Sequence, residues 1–167
     1  SRTLIGYNNE FMTLTKGYGV YNHSFKEYRP NKGKEFRGRK NGTLVAMATG
    51  KATTYAMTAL EDRGTMLIKP GDEVYEGMIV GINNKNEDLA VNVVRMKQQS
   101  NVRSAGKDNT VVLKKAKILS LEESIQFLED DEYCEVTPKH IRLRKKFLNK
   151  NERARFIRDA KIKNTNK

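Results

Sequence analysis

The first apolar positions of the chain, Leu4, Ile5, Phe11, Met12 and Leu14, can share one face of a helix, and Gly17 is placed to stop it. From Tyr18 to Tyr28 the pattern changes to alternation, with Val20 on one side and Tyr21, His23 and Phe25 on the other, which predicts a strand. One helix and one strand cannot close a core, so residues 1–29 are expected to pack on the rest of the chain, on another copy, or on further sequence. Pro30, Gly33 and Gly38 then interrupt regular structure, and a domain boundary is expected near residue 30. Strands are predicted over Thr43–Thr49, Thr65–Ile68, Val74–Ile82, Leu89–Val94 and Thr110–Leu113, with turns at Gly50-Lys51, Pro70-Gly71-Asp72 and Asn83–Asp88. Gly77 and Gly81 inside the third of these predict sharp bends. Ala56–Arg63, followed by Gly64, reads as a short helix with a C-terminal glycine. Ser120-Leu121-Glu122-Glu123 is a capping box and opens a helix expected to span 121–130, with Leu121, Ile125 and Leu128 on one face. Tyr133–Thr137 and Ile141–Arg144 read as paired strands about Pro138-Lys139. Asn149 or Asn151 can cap a last short helix, and little inherent order is expected beyond Arg158. The segments are therefore a helix–strand unit at 1–29, a β-rich domain at 30–148 and a basic tail at 149–167, an α+β arrangement with a few short helices.

One stretch fits neither period. Arg95–Asp108 carries the cations Arg95, Lys97, Arg103 and Lys107, interleaved with Gln98, Gln99, Ser100, Asn101 and Ser104. It reads as a long polar loop hung from the strands, and such loops are usually functional or disordered. Arg and Lys neutralise phosphates, while Asn, Gln and Ser bond sugar hydroxyls and base edges. The loop contains no aromatic residue, so base stacking is not its means. A solvated loop without a partner is the plain alternative.

Charge sharpens this reading. The chain of 167 residues carries a net charge of +12 with a pI near 9.8, a balance that favours a polyanionic partner. Residues 121–135 hold seven acids and no base, whereas residues 137–167 hold seven Lys and five Arg against Glu152 and Asp159. The acidic helix could neutralise part of the tail internally. A second basic patch is expected from Arg37 and Arg39 together with Lys139, Arg142, Arg144, Lys145 and Lys146. Solvated linker charge is the competing reading for Arg37 and Arg39.

Catalytic chemistry has little to stand on. No apolar run reaches the roughly 18 residues of a membrane span. Cys134 is a single thiol, so no intrachain disulfide forms, in keeping with a reducing cytoplasm. His23, His140 and Cys134 show no zinc spacing. Gly50-Lys51-Ala52 imitates the end of a phosphate-binding loop, but Val45 and Ala52 stand where Gly and Ser or Thr are needed. No catalytic residue and no metal site is assigned.

Several stretches together resemble a known family. Leu4-Ile5-Gly6-Tyr7-x-x-Glu10-Phe11 with Thr13-x-Thr15-x-Gly17-x-Gly19 is similar to the last helix-to-strand passage of the ferredoxin-like fifth domain of translational GTPases such as elongation factor G. The remainder resembles the C-terminal domain of BipA/TypA proteins. The matching stretches are Gly38-Arg39-x-Asn41-Gly42, Glu61-x-Arg63-Gly64, Gly71-x-Glu73-Val74-Tyr75-Glu76-Gly77, Ser100-Asn101-x-Arg103-Ser104 and Glu135-Val136-Thr137-Pro138-Lys139-x-Ile141-Arg142. The resemblance implies a β-rich, barrel-like domain with a few short helices, preceded by the last helix and strand of a ferredoxin-like domain. It also implies a parent GTPase, monomeric off the ribosome, that acts in translation, ribosome assembly and stress adaptation in the cytoplasm. Its GTP and Mg would be held by an N-terminal G domain, so this chain is not expected to be an enzyme or to carry a cofactor itself. The implied partners are the ribosome, rRNA and A-site tRNA, whose acceptor arm the loop at about 92–108 would contact. The family's Lys-Lys-Lys is thinned here to Lys97-Gln98-Gln99. If about six phosphates are neutralised, the logarithmic salt slope of binding is on the order of −4 to −5. An autonomous basic DNA- or RNA-binding domain is the alternative, and it would bind duplex DNA as well as ribosomes.

Overall fold

The computed structural model describes residues 7–30, 39–96 and 113–165. The chain divides into two compact units, Ser1–Arg39 and Lys40–Lys167.

The first unit holds helix α1, Tyr7–Leu14. Lys16 and Gly17 turn left-handed, with φ of 52° and 82°, and the Gly17 N–H donates to the Met12 carbonyl at 2.8 Å, which closes the helix end. Tyr21 packs on Tyr7 and Phe11, with ring centroids 5.4 and 5.8 Å away. The strand expected over 18–28 does not form. Among the described residues this segment has no strand partner, and Tyr18 and Tyr28 are 90% and 94% exposed. Alternation alone makes no strand when no neighbour supplies ladder hydrogen bonds.

The second unit is built on strand β1, Thr43–Ala46, all four residues of which are buried. It pairs antiparallel with β5, Ile79–Asn83, and parallel with β6, Leu89–Val91, and β3, Gly64–Met66, adds to the far side of β5. The order β3-β5-β1-β6 leaves both edges open among the described strands, so the barrel-like expectation gives way to an open sheet. Edge strands of only three residues offer too little ladder to join the two sides. The core gathers Leu44, Ala46, Met57, Val80, Val91 and Val93.

The predicted Val74–Ile82 strand divides in two. β4, Glu73–Val74, pairs with β2, Gly50–Lys51, and Gly77, at φ 84°, turns the chain into β5. A Cβ on Gly77 would also stand 2.6 Å from the Leu148 backbone, so both dihedral and space select glycine there. Gly64 proves to be the first residue of β3 rather than a helix end. A Cβ on it would lie 1.9 Å from the Ile82 carbonyl oxygen. The helix before it, α2, is Thr54–Thr58, capped by the Thr53 hydroxyl.

Helix α3, Leu121–Phe127, forms with its capping box complete, but it buries Ser124 and leaves Ile125 56% exposed, not the face its apolar spacing suggested. β7, Glu132–Val136, and β8, Ile141–Lys145, make the expected hairpin, with Thr137 and His140 bonded across its tip. The last helix, α4, is longer than expected and runs Lys150–Thr165, past Arg158. Asn149 Oδ1 accepts from the Asn151 N–H at 2.8 Å and caps it. Most of the predicted Thr110–Leu113 strand lies outside the described residues.

Candidate nucleic-acid interface

Most of the basic loop (Lys97, Gln98, Ser100, Asn101, Arg103, Ser104 and Lys107) lies outside the described residues. Its two feet do not. On the entry side the Arg95 side chain is exposed, and the Arg95 carbonyl accepts from the Thr53 hydroxyl at 2.6 Å. The Thr53 N–H donates to the Val93 carbonyl at 2.9 Å, and Val93 is 1% exposed. On the exit side the Lys114 N–H donates to Glu61 Oε1 at 2.5 Å, Leu113 packs on the core, and the Lys117 N–H donates to the Met66 carbonyl at 2.9 Å. The segment from Thr53 to Glu61, which contains α2, therefore holds both ends of the loop. Sequence reasoning did not assign Thr53 or Glu61 this task. The Thr-Thr-Tyr helix start was the only local signal for Thr53.

The second basic patch separates into different environments. Arg37 lies outside the described residues, and Arg39 belongs to the first unit and is half-buried with a partner of its own. Lys145 is not a surface cation at all. It is 3% exposed, and its Nζ lies 2.6 Å from Asp88 Oδ2, 3.0 Å from Asp131 Oδ2 and 2.9 Å from Glu132 Oε1. Burial alone would lower its pKa, yet the bonds to Asp88 and Glu132 raise it above the ordinary lysine value. Asp88 closes the link to the sheet: its Oδ1 accepts from the Thr43 N–H and hydroxyl at 2.7 and 2.8 Å. Burial would raise its pKa, but bonds from Lys145 and Thr43 prevail and lower it.

Arg144 is also answered internally. Its Nε lies 2.6 Å from Glu135 Oε1, and its guanidinium stands 5.2 Å from the Tyr133 ring centroid. The Tyr75 hydroxyl donates to the other Glu135 oxygen at 2.7 Å; burial and that carboxylate raise the tyrosine pKa. The basic segment is therefore neutralised in part by Asp131, Glu132 and Glu135, which lie after the acidic helix rather than on it. On α3, Glu122 and Glu123 serve the Ser120 cap, with Lys117 Nζ 4.0 Å from Glu123.

Lys139 and Lys146 remain exposed, and Arg142 is half-buried. Lys139, His140 and Arg142 border a cleft of about 780 Å³ whose walls include Ile118, Val136 and Ile141. The same cleft is lined by Asp72 and Glu73, so it mixes cations, carboxylates and apolar wall residues.

Gly50 and Lys51 are paired with Val74 and Glu73 as strand β2, and Ala52 rather than Ser or Thr leads on to α2, so the segment is not a phosphate-binding loop. Among the described residues no group of three or more His, Cys, Asp or Glu side chains is placed to hold a metal ion. Cys134 is half-buried, and burial followed by the Glu135 charge raises its pKa, the setting of an inert thiol. No described helix is long and apolar enough to cross a membrane.

Comparison with known proteins decides the family. A family model described as the TypA/BipA C-terminal domain matches residues 41–150. This chain belongs to the BipA family. It is 57% identical to the large ribosomal subunit assembly factor BipA of Bacillus subtilis over 96% of its own length and 26% of the relative's. It is 48% identical to the protein of the same name from Haemophilus influenzae over 95% of the chain and 26% of the relative. To the protein of that name from Salmonella typhimurium it is 42% identical, over 96% and 26%. The chain therefore spans about a quarter of the length of these curated relatives, and what it matches is the C-terminal region of BipA/TypA.

Proposed function

We propose that this chain is the ribosome-contacting C-terminal module of a BipA-type translational GTPase. The observation that carries the proposal is the match of nearly the whole chain to proteins named as large ribosomal subunit assembly factors. The module itself performs no chemistry. GTP and Mg belong to a G domain elsewhere in the parent, which acts in the cytoplasm in ribosome assembly, translation and stress adaptation and is monomeric off the ribosome. Residues 1–29 are the closing part of a ferredoxin-like domain, a reading that rests on the resemblance of Leu4 to Gly19 to that passage, while the exposure of Tyr18 and Tyr28 counts against packing of 18–28 within this chain.

Within the module, the loop from Arg95 to Lys107 contacts rRNA and the acceptor arm of A-site tRNA. Lys97, Arg103 and Lys107 neutralise phosphates, and Ser100, Asn101 and Ser104 bond 2′-hydroxyls and exposed base edges. Pinning both feet at Thr53 and Glu61 supports this, because fixed feet restrict where a polar loop can reach and lower the ordering cost of docking it. Lys139, Lys146 and Arg142 provide a second set of phosphate contacts.

The test is co-sedimentation of the full-length protein with 70S ribosomes, with and without A-site tRNA, beside a Lys97→Ala/Arg103→Ala variant. Weaker binding of the variant, with the larger loss when tRNA is present, is expected. Equal binding of the two proteins overturns the role of the loop, and failure of the wild type to sediment overturns the ribosomal assignment.

A further inference from the structure

Helix α2 stands between the two feet of the basic loop, and it presents an aromatic ring there. Ala56 and Met57 are buried, and at about 100° per residue the opposite face carries Tyr55, which is 45% exposed. Winding continues past Thr58 as tighter turns: the Leu60, Glu61 and Arg63 N–H groups donate to the carbonyls of Met57, Thr58 and Leu60. The path from Thr53 to Glu61 therefore spans about 12 to 16 Å. Thr53 holds the Arg95 carbonyl at one end through its hydroxyl, and Glu61 holds the Lys114 N–H at the other. Residues 50–53 lie directly beside 93–95: a Cβ on Gly50 would stand 2.6 Å from Val94 Cγ1.

Two kinds of side chain gather at this place. Arg95, Lys114 and Lys115 are exposed, and among the described residues none of the three is paired with a carboxylate. Glu61 is committed to the Lys114 N–H. Asp62 is exposed, but it lies about 10 Å along the segment from Tyr55, with the exposed Arg63 beside it. The apolar members are Tyr55 and Met96; Met96 follows Arg95 and is 76% exposed. One exposed tyrosine alone is ordinary. A ring on a helix seated in the core, a methionine close by and three unpaired cations held at the two ends have the make-up of a surface for a flat base and the phosphates on either side of it.

We propose that Tyr55, with Arg95, Lys114 and Lys115, forms a site for single-stranded RNA. The ring stacks on one unpaired base, and the three cations neutralise the flanking phosphates. The proposal rests on the ribosomal reading above and deepens it, because the ribosome supplies RNA as the polyanion. Stacking comes from α2 and not from the loop, which has no aromatic residue. A single strand fits better than a duplex, whose bases are already stacked on one another and offer no free face to the ring.

The experiment uses full-length protein and three variants, Tyr55→Ala, Tyr55→Phe and Lys114→Gln/Lys115→Gln. Ala56 and Met57, which seat α2, are untouched, and circular dichroism with Tm is the control for folding. The probes are a single-stranded RNA of about 12 nucleotides carrying 2-aminopurine, an RNA duplex of about 20 base pairs, and purified large ribosomal subunits. Tyr55→Ala should bind the single strand about 5- to 150-fold more weakly at unchanged salt slope. It should also lose the 2-aminopurine quenching that reports stacking, bind subunits more weakly, and match the wild type on the duplex. Tyr55→Phe should keep affinity and quenching. Lys114→Gln/Lys115→Gln should keep the quenching but flatten the logarithmic salt slope by about 1 to 2. If Tyr55→Ala matches the wild type on the single strand, or Tyr55→Phe loses as much as Tyr55→Ala, the stacking site falls. If Tyr55→Ala weakens binding to subunits but not to the single strand, the surface meets a ribosomal protein and the RNA assignment falls. If the wild type binds and quenches the single strand but does not bind subunits, the ribosomal reading falls and the Tyr55 site stands.

Discussion

Leu44 in β1 and Lys145 in β8 are both almost fully buried, at 0% and 3% exposure, and they meet the demands of burial by opposite means. Leu44 sits in the middle of the sheet with Gly81 facing it across β5, where a Cβ would come within 2.8 Å of the leucine side chain. Its contribution is apolar transfer and close packing, about 1.5 to 3 kcal/mol for a leucine fully removed from water. Lys145 has a desolvated ammonium and three carboxylates around it. A group of that kind adds little net stability over an apolar substitute, yet it fixes which surfaces meet. One of its carboxylates, Asp88, comes from beside β6, and the other two come from the start of the hairpin, so the cluster sets how β7 and β8 lie against the sheet. This domain keeps its sheet by bulk and its hairpin by address.

Breaking the address should have the larger effect. Lys145→Ala leaves carboxylates gathered without their cation and should lower stability by about 3 to 5 kcal/mol, measured by urea denaturation. Lys145→Met, which restores volume but not charge, should recover little of that loss. Full recovery by methionine would show that Lys145 fills space and that the hairpin is held by packing after all. Leu44→Ala follows, at about 3 kcal/mol. Hydrogen exchange separates the two mechanisms. The Lys145 variants should lose protection first in β7 and β8 while β1 and β5 keep theirs. Leu44→Ala should lower protection throughout the sheet, since it acts on the cooperative core.

The same contrast accounts for what could be read in the sequence. The capping box at Ser120 and the hairpin about Pro138-Lys139 were legible because each is specified by residues within a few positions of one another. Lys145 was assigned to a surface patch because its neighbours Arg142, Arg144 and Lys146 are all basic. Period two in Ile-Arg-Leu-Arg-Lys puts Lys145 on the buried Leu143 face, and the acidic run at 129–132 supplied the compensating charge, so the signal was present but needed both facts together. Asp88 had no sequence signal at all. It lies far along the chain from Asp131 and Glu132, beyond the reach of any local rule, and only its contacts with Thr43 and Lys145 reveal it. The strand expected at 18–28 failed for the converse reason. Its alternation is good, but a strand is a property of two segments, and alternation reports on one.

Acid offers the gentlest way to separate the regions. Asp88 has a lowered pKa in the folded state, through bonds from Lys145 and Thr43 that outweigh the opposing effect of burial. Its contribution is therefore present above its unfolded pKa, close to 3.8, and is lost as pH falls through the lower folded value. The raised pKa of Lys145 works at the other extreme: its contribution is complete below 10.5 and is lost only as pH rises beyond that. Near neutrality neither group titrates, so the hairpin should be insensitive to pH there. Below about pH 4, hydrogen-exchange protection factors in β7 and β8 should decline before those in β1 and β5. Asp88→Asn should flatten that early decline, because the group that takes up the proton is gone. A hairpin and sheet that lose protection together in acid, in wild type and variant alike, would mean that the two are one cooperative body and that the carboxylate cage adds no separate hold.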